Sequence, residues 1–106
     1  MAKSRLETLE GFVRERPTDA FAHYGLAMEY INAGRTEDAL ATFQKLIGFN
    51  PNYSAGYHHA GLLLTRLALV DEAKEMFKRG IEVAGRNGEA HSKMEMEEAL
   101  HDLSQQ

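Results

Sequence analysis

Apolar positions along the chain fall into short runs of helical period, each closed by a helix-breaking residue. Leu26, Ala27, Tyr30 and Ala33 form one such stripe, and Gly34 supplies its stop. Ala39, Leu40, Phe43, Leu46 and Ile47 form the next, ended by Gly48 and Asn50-Pro51. Thr36 is the expected cap of that second helix, with Glu37 and Asp38 in the first turn, where the helix dipole favours acids. The pattern then recurs. Ala60, Gly61, Leu64 and Leu67 make a third stripe, and Ala73, Met76, Phe77, Gly80 and Ile81 a fourth. The loop Gly85-Arg86-Asn87-Gly88 is expected to close it.

The recurrence has a fixed period. Pro17 and Pro51 lie 34 residues apart, and the same step reaches Gly85, read as a third breaker. It pairs Ala39 with Ala73, Phe43 with Phe77, Ala27 with Gly61, Tyr30 with Leu64, and Lys45 with Arg79. Class is preserved throughout, so the chain contains two copies of one helix–turn–helix unit. Small residues (Ala27, Ala39, Gly61, Ala73) mark where paired helices cross closely, and Tyr30, Phe43, Leu64 and Phe77 fill the space beside the crossings.

A 34-residue helix–turn–helix with small residues near mid-helix and a closing Asn-Pro resembles the tetratricopeptide repeat. The run LAMEYINAGRTEDALATFQKLIGFNPN carries the resemblance most fully. The run AGLLLTRLALVDEAKEMFKRGIEVAG departs from it at Ala68, in place of the glycine of the mid-repeat turn, and at Gly85, in place of the closing proline. The resemblance implies an all-α, right-handed superhelix of about six antiparallel helices. Its parts are an N-terminal half-repeat helix (4–17), repeats at 20–53 and 54–87, and a C-terminal capping helix (88–104), together one domain spanning 1–106.

Both flanks read as ends. Ser4-x-x-Glu7 is a capping box, followed by the stripe Leu6, Leu9, Phe12 and Val13. The same period aligns Leu9 with Phe43 and Phe12 with Leu46, but it places Arg5 where Ala39 and Ala73 stand. At the other end it aligns Met94 with Ala60, Glu95 with Gly61 and Glu98 with Leu64. A carboxylate in those packing positions is costly to cover, so the stack is expected to stop there. These acids, with the initial Met, argue for a whole array rather than a fragment.

The first helix of each pair is expected to line the concave side. The resemblance puts Phe21, Tyr24, Met28, Ile31 and Asn32 there in the first unit, and Ala55, His58, Leu62, Thr65 and Arg66 in the second. In the last helix it gives Glu89, Ser92, Met96 and Ala99. The spacing of 21, 24, 28 and 31 independently supports a second stripe, apart from the one facing the paired helix. The groove is apolar with one histidine near its middle, which suits an amphipathic helix or an extended apolar peptide. Self-association through the same stripe, as a homodimer, is the alternative. One subclass of the family grips a chaperone's C-terminal carboxylate with Lys, Asn and Arg residues. Tyr24, Met28, His59 and Glu89 occupy clamp positions here, and only Lys93 matches in charge, so that mode is not expected.

Composition narrows the chemistry. Twelve basic against 16 acidic side chains give a net charge of −4, the wrong sign for a nucleic-acid backbone. There are no cysteines, which removes disulfides, thiolate zinc sites and thiol catalysis. The longest apolar run is Gly61-Leu62-Leu63-Leu64, too short for a bilayer, and MAKSRLETLEGF lacks a signal-peptide core, so a cytoplasmic location is the default. The five histidines show no convergent ligand spacing, and the nine glycines form no phosphate loop. The expected protein is a non-catalytic interaction scaffold, without metal or cofactor, that binds a protein or peptide partner and neither nucleic acid nor membrane.

Overall fold

A computed structural model describes residues 3–105. Among them are six helices and no strand: α1 (Arg5–Glu15), α2 (Ala20–Asn32), α3 (Thr36–Phe49), α4 (Ser54–Arg66), α5 (Val70–Asn87) and α6 (Ala90–Ser104). Each helix packs on its neighbours in sequence, and α4 also touches α6. The result is a short solenoid measuring 50 × 28 × 19 Å. Helices α2, α4 and α6 make one row, and α1, α3 and α5 the other.

The period-34 pairs become matching core positions. Ala27, Ala39, Ala60 and Ala73 are fully buried, as are Phe43 and Phe77 beside them. At Gly61 the close approach is extreme: a Cβ there would lie 2.5–2.8 Å from the Phe77 ring. One α1–α2 link is polar. The Tyr30 hydroxyl donates to Glu10 Oε2 at 2.9 Å, and burial followed by this acceptor raises the phenol's pKa.

The helix starts differ in part from expectation. Ser4 caps α1, its Oγ accepting from the Glu7 N–H at 3.1 Å, although the hydroxyl also donates to Glu7 Oε1 in place of a reciprocal backbone bond. Asp19 caps α2 by accepting from the Ala22 N–H at 3.1 Å. Thr36 does not cap α3. It is already the first helical residue, Arg35 holds the cap position without a side-chain bond, and Arg35 Nε instead pairs with Asp38 at 2.8 Å. The turn between the helices is too tight to present Thr36 earlier, because Gly34 turns left-handed (φ 74°) and Arg35 follows at once.

Ala68 occupies the corresponding turn after α4 with φ 62°, a conformation that costs an L-residue about 1–2 kcal/mol. Ala68→Gly is therefore expected to stabilise the protein by up to about 1 kcal/mol after glycine's extra unfolded-state entropy is subtracted. Thermal denaturation checks this as a rise in Tm of a few degrees.

Gly85 does not break α5. The helix runs through it to Asn87 and ends on Gly88, which takes φ 74°. Val83 and Ala84 are buried and keep the helical period going, so the packing of α5 overrides one glycine in its last turn. The extension has a consequence for register. α2 and α4 begin 34 residues apart, at Ala20 and Ser54, whereas α4 and α6 begin 36 apart, at Ser54 and Ala90. Residues of α6 are thus displaced by two from the positions that the 34-residue period assigns them.

Candidate functional site

The row of α2, α4 and α6 presents a ladder of aromatic and apolar side chains. In α2, Tyr24, Met28 and Ile31 are half-buried, while Phe21 and Asn32 are exposed. In α4, His58 is half-buried, and Leu62 (45% exposed), Thr65 and Arg66 reach solvent. Thr65 Oγ1 donates to the Gly61 carbonyl at 2.9 Å. Phe21 stands somewhat apart, 86% exposed, beside α1.

Aromatic packing fixes the middle of this surface. Tyr24 sits edge-on to Phe43 at 6.0 Å and to His59 at 5.6 Å, with Tyr53 at 6.1 Å. His59 stacks flat on Phe43 (5.1 Å, 5°), and its Nε2 lies 3.2 Å from the Tyr24 hydroxyl. One repeat on, His58 meets Phe77 edge-on at 6.4 Å, as Tyr24 meets Phe43. His59 is thus the element that sequence reasoning left out of the groove. Its 34-residue counterpart is Gly25, so periodicity gives no hint that a ring bridges the two units there.

Burial lowers the His59 pKa, and the neighbouring His58 adds to the effect. A folded-state pKa below the unfolded value makes the neutral ring part of the stability, present above the ordinary histidine pKa and lost as pH falls below it. Stability is expected to drop between about pH 7 and pH 5, and His59→Phe should flatten that drop. Urea denaturation at several pH values measures it.

Met96 does not line the groove. It is fully buried, its Sδ 2.5 Å from where a Gly80 Cβ would stand. Ser92 and Ala99 are half-buried on the same side, and Leu103 is buried. The cause is the two-residue displacement of α6. It puts Met96 opposite Ala60 rather than Leu62, and Leu100 opposite Leu64. The side chains of α6 that continue the stripe are then His91, Met94, Glu98 and Asp102, all exposed. Met94 is 48% exposed at the place equivalent to His58. The unbroken apolar period through Val83 and Ala84 was the available signal that α5 runs long.

Glu89 is tied down at the base of α6. It accepts from the Ser54 hydroxyl at 2.9 and 3.0 Å and from Asn87 Nδ2 at 2.7 Å, while Asn87 also donates to the Asn52 carbonyl. Ser54 is buried, so this carboxylate satisfies a hydroxyl that α4 would otherwise bury without a partner. No group of three or more potential metal ligands comes together among the described residues, and His23 is buried edge-on against Phe49, its Nδ1 2.9 Å from the Asp19 carbonyl. No described helix is long and apolar enough to cross a membrane.

The tetratricopeptide repeat profile matches residues 22–53 and 54–87, the two units that the period marks out. The chain belongs to the tetratricopeptide repeat family. A TPR repeat-containing protein of Pseudomonas aeruginosa is 26% identical over 98 residues, covering 92% of this chain and 93% of its own. The solution structure of a tetratricopeptide repeat domain from Salinibacter ruber is 34% identical with a TM-score of 0.78, covering 82% of this chain and 88% of its own. PcrH, solved in complex with the chaperone binding region of PopD, shares the fold at a TM-score of 0.88 and 17% identity, over 93% of this chain and 75% of its own. The architecture is therefore the tetratricopeptide repeat superhelix. Domains of this family mediate protein–protein interaction, and its members are interaction modules rather than catalysts.

Proposed function

We propose that the chain is a non-catalytic docking module that receives an amphipathic helix or an extended apolar peptide of a partner protein along α2, α4 and α6. The observation that carries this reading is the stripe Tyr24, Met28, His58, Leu62 and Met94, partly open to solvent along three successive helices of one row. Two methionines in the stripe adapt to irregular partner surfaces. The polarity changes along it: aromatic and aliphatic groups on α2 and α4 give way to Glu98 and Asp102 on α6. A segment with apolar anchors at one end and Lys or Arg at the other fits this gradient. Such a partner differs from the acidic, carboxylate-ended peptides that a basic clamp selects.

The test uses the protein as bait and measures affinity for whatever partner it recovers. Leu62→Glu is expected to weaken that binding at least about tenfold, with unchanged helix content by circular dichroism. Glu98→Lys should weaken it less and remove part of its salt dependence. Undiminished binding by Leu62→Glu, together with loss in Gln44→Glu on the outer helix α3, would place the interface on the convex side instead.

A further inference from the structure

Tyr24 fills a three-walled place between repeats, bounded by Phe43, Tyr53 and His59. Moved back by the 34-residue period, those walls become Leu9, Asp19 and Gly25. All three line a partly open cavity of about 300 Å³ between α1 and α2, with Phe12 and Phe21 at its rim. The N-terminal end of the solenoid therefore carries the socket that an aromatic ring fills one repeat further on. Gly25 stands there in place of the His59 ring, with Leu9 Cδ2 3.4 Å from where a Cβ would be. A cavity of about 150 Å³ with apolar walls already takes a benzene ring. Phe12 is 49% exposed, although its counterpart Leu46 is fully buried.

The chain also supplies a ring that fits. Phe21 is 86% exposed, the most open of the large apolar side chains, and it projects from the rim of this same cavity. We propose that the cavity is a socket for Phe21 of a second copy, each copy inserting its ring into the other about a two-fold axis. A knob beside its own socket is the geometry that an isologous pair requires, since one axis between them satisfies both insertions. The mouth carries both signs of charge. Arg16 and Asp19 lie 3.8 Å apart within one copy, and the Arg16 side chain is 73% exposed. A two-fold operation can bring each toward its opposite in the other copy. The socket lies on α1 and the first turns of α2, away from Leu62 on α4.

Sedimentation velocity on the 106-residue chain, from about 1 µM to about 1 mM, tests the proposal. The expected weight-average mass rises from 11.9 kDa toward twice that value. Phe21→Glu, a change at an exposed site, should stay monomeric throughout. Gly25→Met should do the same by filling the socket while keeping the knob, with circular dichroism verifying the fold. An equimolar mixture of the two variants should recover association in part, weaker than that of the unmodified chain, because the mixed pair regains one of the two insertions. Leu62→Glu should associate like the unmodified chain. A monomer at every concentration, association that survives Phe21→Glu, no recovery in the mixture, or loss of association in Leu62→Glu would each overturn it.

Discussion

Truncating Phe77 to alanine is expected to cost about 3–5 kcal/mol, the range for a large aromatic removed from a core that cannot collapse. The ring is 1% exposed and lies over Gly61, where no side chain is available to move into the space. His58 loses its edge-on neighbour as well. A domain of this size holds roughly 5–15 kcal/mol in total, so one side chain carries a large share of it. Thermal denaturation should show Tm falling by roughly 15–30 °C. Arg66→Ala, at an exposed position on α4, should stay within about 0.5 kcal/mol. A loss at Phe77 under about 1 kcal/mol would mean that α4 and α5 do not cross at Gly61 as described.

Gly80→Ala should destabilise, against the helix-propensity rule. Propensity alone favours alanine by about 0.8–1.0 kcal/mol in a helix interior. Packing opposes it. A Cβ at residue 80 would stand 2.7 Å from Tyr57 Cβ and 2.5 Å from Met96 Sδ. The thioether can swing aside, but Tyr57 Cβ is fixed to the α4 backbone, so α4 and α5 must separate. Overpacking of this kind costs about 1–3 kcal/mol, which leaves a net loss of up to about 2 kcal/mol. Gly80→Val should cost more. Gly48→Ala is the control: nothing lies within 4 Å of its Cβ, and the substitution should stabilise by up to about 1 kcal/mol. Urea midpoints of the three variants decide the matter, and a stabilised Gly80→Ala would contradict the packing.

Much of this fold was legible because a repeat states its packing twice. Ala27 with Gly61 and Phe43 with Phe77 identify the crossings without reference to any other protein, and those residues are buried where the period puts them. The family followed from the same residues. The reading failed where the period itself changes. The period makes Gly85 a stop, yet buried Val83 and Ala84 carry α5 to Asn87, and α6 is displaced by two residues. A displacement of two turns a helix by about 200°, which is enough to take Met96 from the groove into the core and bring Met94 and Glu98 outward. His59 escaped notice for another reason. Its role comes from a ring in a different repeat, and sequence spacing does not encode where a side chain from α2 meets one from α4.

The proposed role of the row of α2, α4 and α6 is to receive a partner segment. Site-specific photo-crosslinking tests it most directly, with a photoreactive side chain placed in turn at Met28, Leu62 and Met94 on the inner helices and at Gln44 and Glu75 on the outer ones. Adducts to one partner protein are expected from the three positions on α2, α4 and α6, lost when Tyr24 is also changed to Glu, and none from the pair on α3 and α5. Adducts confined to Gln44 and Glu75 would contradict it.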